Sequence, residues 1–172
     1  MITTSKCGLC WASLALFSLT AASAEVAVTP PPANSRIAAM SVRVSRSLNH
    51  ARPLPRDLLA AKIEVRHIPA MPTDPEIIDR RLFGSDLPSL KSALSEFRMD
   101  VVSTTVEENA FTIKLVVSGT RTNGVKYSSP MSLRFVVKNG VVIGLEAAQD
   151  PTERATLGEI AVEGGFKAPP HN

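Results

Sequence analysis

The second half of the sequence has the pattern of antiparallel strands joined by tight turns. Apolar stretches between Arg98 and Asp150 are interrupted at Glu108-Asn109, at Asn123-Gly124 and at Asn139-Gly140. Asn-Gly between two such stretches is a strong signal for a β-hairpin, because both central residues of a type I′ turn need a positive φ. The pattern therefore predicts a meander of four strands, and this restricts the fold more than any other feature of the chain.

The predicted strands have one apolar face and one mixed face. Bulky apolar residues occupy the odd positions from 111 to 117 and again from 131 to 137, whereas polar residues are frequent at the even positions between them. Since the side chains of a strand alternate between its two faces, only one face of this sheet is suited to a core.

Helical patterns come before the meander. Residues 35–49, SRIAAMSVRVSRSLN, carry apolar side chains at helical spacing, and residues 56–62, RDLLAAK, predict one or two further helical turns. Residues 83–97, FGSDLPSLKSALSEF, predict a longer helix, with Ser85 or Asp86 as the N-cap and Pro88 in the first turn.

A short strand is predicted between these helices, at KIEVRHIP, residues 62–69. Ile63, Val65 and His67 alternate with Glu64 and its neighbours, so His67 shares the apolar face of the strand. Helices followed by a run of strands are typical of an α+β domain, in which the helices cover one face of a curved sheet.

The first 24 residues have the order of charged, apolar and small residues that is typical of a cleavable signal peptide. Lys6 precedes the apolar run, and Ala22-Ser23-Ala24 ends it. We expect cleavage after Ala24, export to the periplasm or secretion, and no stable membrane insertion afterwards. Cys7 and Cys10 lie within this segment, so the predicted mature chain has no thiol chemistry.

The remaining chain is long enough for one domain and short for two. We expect a proline-rich linker over residues 25–34, a folded domain over residues 35–155 and a C-terminal tail over residues 156–172. The net charge of +3 is spread without clusters, which argues against a nucleic-acid partner. His50 and His171 lie in a predicted loop and in the tail, so we expect no metal site, and we expect no cofactor.

The order of these elements resembles the nuclear transport factor 2-like superfamily, in particular its SnoaL-like branch. The resemblance covers residues 35–155 and depends on the strand that ends in His67 before a proline, on the Leu-rich helix, on the meander GTRTNGVKY and SLRFVVKNGVVIGLE, and on the closing Asp150. It implies a cone-shaped domain, with N-terminal helices packed on a strongly curved, mainly antiparallel β-sheet that encloses an apolar pocket. It also implies dimerisation through the outer face of the sheet.

The resemblance places candidate site residues on particular positions. The general base of steroid-isomerase-like members falls on His67, and the donor to the developing oxyanion, two residues after a strand proline, falls on Ser132. The tyrosine that the first helix supplies in those members is absent from residues 33–61. Tyr127 is a further candidate donor and Glu146 a candidate partner that orients the imidazole. Apolar residues expected to line the pocket are Leu90, Leu94, Leu115 and Leu145.

Two functions stay open at this point. The first is an exported pocket domain that binds a small hydrophobic molecule, or a dimerising scaffold. The alternative is a small acid-base enzyme of the isomerase, cyclase or dehydratase type, acting on an apolar carbonyl compound with His67 as the base. Histidine suits that role because it changes charge near neutral pH. However, a histidine at the end of a strand, Ser132 in a strand and Glu146 near a strand end also have ordinary structural explanations.

Overall fold

The computed structural model describes residues 33–167. Its helices are α1 (Ala33–Asn49), α2 (Leu87–Ala93) and α3 (Pro151–Glu163), with a 3₁₀ turn at Arg56–Leu58. Its strands are β1 (Leu59–Ile68), β2 (Glu76–Asp79), β3 (Leu94–Val106), β4 (Ala110–Arg121), β5 (Lys126–Lys138) and β6 (Val141–Ala148). The predicted signal peptide, residues 1–24, and most of the predicted linker lie outside the described residues.

All six strands form one mixed sheet in the order β2-β1-β6-β5-β4-β3. β1 is parallel to β6, and every other neighbouring pair is antiparallel. The sheet is open, because β2 and β3 are its two edges. α1 packs on β3 and β4, and α2 packs on β3 and α3. The predicted fold class, an α+β domain with helices on a mainly antiparallel sheet, is confirmed. None of the helices within residues 33–167 is long and apolar enough to cross a bilayer.

The core lies between the helices and one face of the sheet, which we call the inner face. Phe111 of β4 and Phe135 of β5 are fully buried at its centre, and their rings stack with centroids 4.9 Å apart. The apolar stripe of α1 is buried against this face, as the helical spacing predicted. Its members are Ile37, Met40, Val44 and Leu48.

The two Asn-Gly turns differ. Asn139 and Gly140 have φ values of 53° and 78°, so the predicted turn between β5 and β6 has the two positive φ angles of type I′. At the other turn Gly124 is left-handed, with φ 82°, but Asn123 is not. Gly124 N–H donates to the Arg121 carbonyl at 2.9 Å, which makes a three-residue loop that ends in a left-handed glycine. The second type I′ prediction is therefore wrong.

The two helix predictions that flank β1 are too long. The turn at Arg56–Leu58 gives way to β1 at Leu59, and α2 ends at Ala93. Residues 94–97 instead begin β3, where pairing with β4 replaces helical hydrogen bonds. The register shifts between Ser95 and Arg98, and Glu96 has a φ of 56°. Because of this bulge, Leu94 and Phe97 both face the core although they are three residues apart, and this spacing resembles that of a helix. Asp86 is at the N-cap, but its side chain makes no capping hydrogen bond.

The helix α3 was not predicted. Asp150 caps it by accepting hydrogen bonds from the backbone N–H groups of Thr152, at 2.9 Å, and Glu153, at 3.2 Å. Ile160 is buried in the core, so residues 156–163, which we assigned to a tail, are part of the folded domain. Likewise, α1 already begins at residue 33, inside the segment assigned to the linker. His171 lies outside the described residues.

Candidate ligand-binding and acid–base site

A cavity of about 180 Å³ lies between the helices and the inner face of the sheet. We call it the inner cavity. Its apolar lining comes from three helices and three strands: the end of α1 with the segment after it, α2 with the loop before it, α3, and β3, β4 and β5. The apolar lining residues are Leu48, Leu54, Phe83, Leu87, Leu90, Phe97, Met99, Val117, Met131, Leu133, Phe135 and Leu157. Its lining is thus almost wholly hydrophobic, as in most small-molecule sites.

Two charged side chains also line the inner cavity. Arg52 is exposed and therefore lies at its mouth. Asp86 is half-buried, and burial raises the pKa of its carboxyl, although the backbone amides of Asp86 and Leu87 act in the opposite direction. The raised pKa means that burial disfavours the ionised form.

His67 forms a pair with Asp74, a residue that sequence reasoning missed. His67 Nδ1 lies 2.8 Å from Asp74 Oδ1, and the two side chains are 20% and 8% exposed. The second carboxylate oxygen, Oδ2, accepts the backbone N–H groups of His67 at 2.9 Å and of Met71 at 2.7 Å. One carboxylate therefore holds both the histidine ring and the loop that follows β1. The signal available in the sequence was an acid seven residues after the histidine.

These contacts fix the chemistry of the pair. The Met71 amide hydrogen bond, together with those from His67, lowers the pKa of Asp74 to about 2, so Asp74 is ionised near neutral pH. An ionised carboxylate only accepts hydrogen bonds, so the neutral imidazole carries its proton on Nδ1. Its Nε2 is then the proton acceptor, which is the arrangement that a general base requires.

His67 lies on the inner face of the sheet but lines neither the inner cavity nor the outer trough described below. In the sheet register it pairs with Ala147, which pairs with Leu133. Because Leu133 lines the inner cavity, His67 is two strands away from it on the same face. The ring therefore stands beside the cavity and not within its wall.

Ser132 and Glu146 are on the opposite face from His67. Ser132 follows Met131, whose side chain lies on the inner face, and pairs with Ala148. Glu146 Oε2 lies 3.3 Å from the Nη1 of Arg134, in a surface ion-pair group that also contains Glu107. The structure therefore does not bring either residue together with His67. The acid that orients the imidazole is Asp74, and not Glu146.

Tyr127 belongs to a buried polar cluster on the inner face. Its hydroxyl donates to the carbonyl of Glu153 at 3.2 Å and accepts from Gln149 Nε2 at 3.4 Å. Gln149 Nε2 also donates to Ser129 Oγ at 3.0 Å. Burial raises the pKa of the Tyr127 hydroxyl. The cluster connects β5 to the segment after β6 and to α3. These hydrogen bonds give Tyr127 a structural role.

The four leucines predicted to line a pocket are all buried. Leu90 lines the inner cavity and Leu115 is among the residues that line the outer trough, whereas Leu94 and Leu145 lie in the surrounding core and line neither. Contact of these residues with a ligand stays a prediction. Within residues 33–167, no group of three or more His, Cys, Asp or Glu side chains lies close enough together to hold a metal ion.

A second, larger depression of about 660 Å³ lies on the outer face of the sheet and is open to solvent. We call it the outer trough. Ile68 and Val102 line it and are 52% and 69% exposed. Lys114, Val116, Pro130 and Ser132 also line it. Its breadth and exposure are those of a contact surface more than of a small-molecule site.

Neither the family models nor the curated proteins that were compared with the chain match it in sequence. Solved structures do match it in fold. One is the "Putative SnoaL-like polyketide cyclase" of Jannaschia sp. CCS1, with TM-score 0.56 and 15% identity, covering 83% of this chain and 99% of that one. Another is the pinacolase BvnE of Penicillium brevicompactum, with TM-score 0.59 and 10% identity, covering 79% and 97%.

A third similar structure is an NTF2-like protein of unknown function from Mesorhizobium loti, with TM-score 0.54 and 14% identity, covering 71% of this chain and 97% of that one. At these identities the likenesses establish the fold alone. The chain has the nuclear transport factor 2-like fold that the order of its elements indicated. Among the structures similar in fold, one is named a SnoaL-like polyketide cyclase and another a polyketide cyclase.

Proposed function

We propose that the protein is a pocket domain that binds a small hydrophobic molecule in the inner cavity. The observation that carries this proposal is an apolar pocket of about 180 Å³ between the helices and the inner face of the sheet. A ligand that fills this pocket would remove apolar surface from water, which is worth ~25 cal/mol per Å².

The volume limits the size of the ligand. Small-molecule sites usually measure ~300 Å³ or more, whereas an apolar cavity of ~150 Å³ is able to hold benzene. A substituted six-membered ring therefore suits the inner cavity, and a steroid-sized molecule does not. The names of the structural neighbours, among them a polyketide cyclase and a pinacolase, also favour small organic compounds.

Native mass spectrometry of protein purified without denaturation tests the proposal. We expect a non-covalent adduct in the wild type and its loss in Leu87→Trp, because Leu87 is half-buried and lines the inner cavity. Val162→Trp is the matched control, since Val162 is 63% exposed on α3. A Leu87→Trp protein that is folded and retains the adduct would contradict binding at this cavity.

A second candidate function is acid-base catalysis, and the His67–Asp74 pair favours it. His67 occupies the position of the general base in the resembled family, and Asp74 holds its ring with Nε2 as the proton acceptor. His67→Gln should then abolish turnover of a substrate that extends from the inner cavity to the His67 ring, while leaving its affinity within about threefold of wild type. Unchanged turnover in His67→Gln would exclude this role.

We also propose that the protein forms a homodimer through the outer face of its sheet. The outer trough supports this proposal, because Ile68 on β1 and Val102 on β3 both expose apolar surface on it, with β6, β5 and β4 between them. Analytical ultracentrifugation should show a dimer that Val116→Arg dissociates. Val162→Arg, away from the trough, should leave the dimer intact, and a monomeric wild type would refute the proposal.

Export completes the proposed function. The order of residues 1–24 supports a signal peptide that is cleaved after Ala24. N-terminal sequencing of protein recovered from the periplasm or the medium should begin at Glu25. Material that keeps residues 1–24 would contradict cleavage.

A further inference from the structure

The mouth of the inner cavity is bordered by two segments that are distant in sequence. Residues 52–57 follow the end of α1, and residues 79–84 lead from β2 towards α2. Each segment supplies residues to the cavity lining, and the backbone N–H of Arg80 donates to the carbonyl of Ala61 at 3.1 Å. We call these two segments the cavity rim, because the fold brings them together beside one opening.

The cavity rim has a surplus of positive charge. Its acids are both paired: Asp79 with Arg81 at 3.4 Å, within the rim. Asp57 is paired with Arg43 of α1 at 2.8 Å. Asp86, deeper in the cavity lining, is half-buried. The surplus therefore consists of three exposed arginines of the rim, Arg52, Arg56 and Arg80.

The cavity rim also exposes apolar surface. Leu82 is 45% exposed and directly follows two arginines in the sequence. Phe83 is half-buried and lines the inner cavity, so apolar surface continues from the rim into the cavity. Arginines beside an exposed apolar side chain suit an anionic bilayer, where the charges contact lipid headgroups and the apolar group enters the interface. A soluble polyanion would use the arginines alone.

We propose that the cavity rim docks on bilayers that contain anionic phospholipids, with its arginines on the headgroups and Leu82 in the interface. Docking in this way places the mouth of the inner cavity against the membrane. A hydrophobic molecule then passes between lipid and cavity without crossing water. The docking does not require an occupied cavity, whereas this route of entry rests on the proposed binding function.

Co-sedimentation of the exported protein with vesicles measures the docking. Vesicles of equal parts phosphatidylglycerol and phosphatidylcholine should bind it, and vesicles of phosphatidylcholine alone should not. Combining Arg56→Gln with Arg80→Gln should weaken binding about tenfold or more, because each basic residue at an anionic surface contributes about fivefold. The matched control combines Lys114→Gln with Lys126→Gln, since both lysines are exposed outside the rim, and should stay within about twofold of wild type.

Fluorescence locates the contact on the protein. Leu82→Trp introduces the sole tryptophan of the chain once Trp11→Phe has removed the native one. Its emission should shift to shorter wavelength on the phosphatidylglycerol vesicles. Val162→Trp in the same background is the control without a shift, because Val162 is 63% exposed on α3, outside the rim. Circular dichroism verifies that each variant is folded.

The outcomes separate docking from ligand binding. Equal binding to neutral vesicles, wild-type binding after loss of Arg56 and Arg80, or an unshifted Leu82→Trp emission overturns the proposal. Binding of heparin without binding of anionic vesicles also overturns it and indicates a soluble polyanion as the partner. Failure of docking leaves the adduct expected in native mass spectrometry, and with it the binding function, untouched. A protein that docks but carries no adduct loses only the route of entry.

Discussion

Replacing Phe135 by alanine should remove one of the two largest fully buried side chains among the described residues. Phe135 is fully buried on β5, pairs with Phe111 across the sheet and stacks on its ring. It also lines the inner cavity. The volume vacated by the ring would join an existing void, so the surrounding side chains have less opportunity to collapse into it.

The expected loss follows from these features. Phe→Ala substitutions in cores cost ~3–5 kcal/mol in the free energy of unfolding, and a void that stays open places Phe135 in the upper part of that range. Since whole domains are stable by only ~5–15 kcal/mol, the melting temperature should fall by roughly 10–15 °C. Phe135→Leu keeps most of the apolar area and loses the ring contact, which is worth ~0.5–1.5 kcal/mol.

Thermal and urea unfolding followed by circular dichroism measure these losses. Val162→Ala is the control, because Val162 is 63% exposed and its truncation should change the free energy of unfolding by no more than ~0.5 kcal/mol. A loss below ~1 kcal/mol in Phe135→Ala would refute the reasoning, since it would mean that the ring does not lie in the core that this sheet register creates.

Three further predictions concern single residues. Gly140→Val should cost at least ~1 kcal/mol of stability, because its φ is 78° and an added Cβ would meet no atom within 4 Å, so the cost is conformational; an unchanged melting temperature would contradict it. Gly164→Ala should cost ~1–3 kcal/mol, because the new Cβ would overlap the carbonyl oxygen of Ser89; wild-type stability would show that α2 and α3 do not approach so closely. The pKa of Asp74 is lowered to about 2, so its hold on the His67 amide should be complete above pH ~4 and lost as the pH falls towards 2. Protection of that amide from hydrogen exchange measures this, and Asp74→Asn should weaken it at all these pH values.

The meander could be predicted from the sequence because its signals are local. Alternating apolar residues identify the strands, and Asn139-Gly140 supplies the two positive φ angles that its turn requires. The buried stripe of α1 was predicted for the same reason. The face of His67 also followed from simple alternation along β1.

The features that the sequence did not reveal depend on tertiary contacts. Leu94 and Phe97 fit a helical period, yet a bulge at Glu96 brings them into the core from a strand. The sequence of α3 shows no clear apolar stripe. Ile160 is buried because α3 packs on the rest of the domain, which the sequence does not reveal.

The missed residues of the candidate site also depend on tertiary contacts. Asp74 reaches His67 only through the path of the loop between them. Asp86 was considered as a helix cap, because nothing in the sequence shows that this residue lines a cavity.

A crystal structure of the protein soaked in cyclohexanone tests binding at the inner cavity most directly. We predict electron density for the ring between Leu90 and Leu133, which both line the inner cavity. Density confined to the outer trough, or an inner cavity that stays empty at saturating cyclohexanone, would contradict the proposal that this cavity is the binding site.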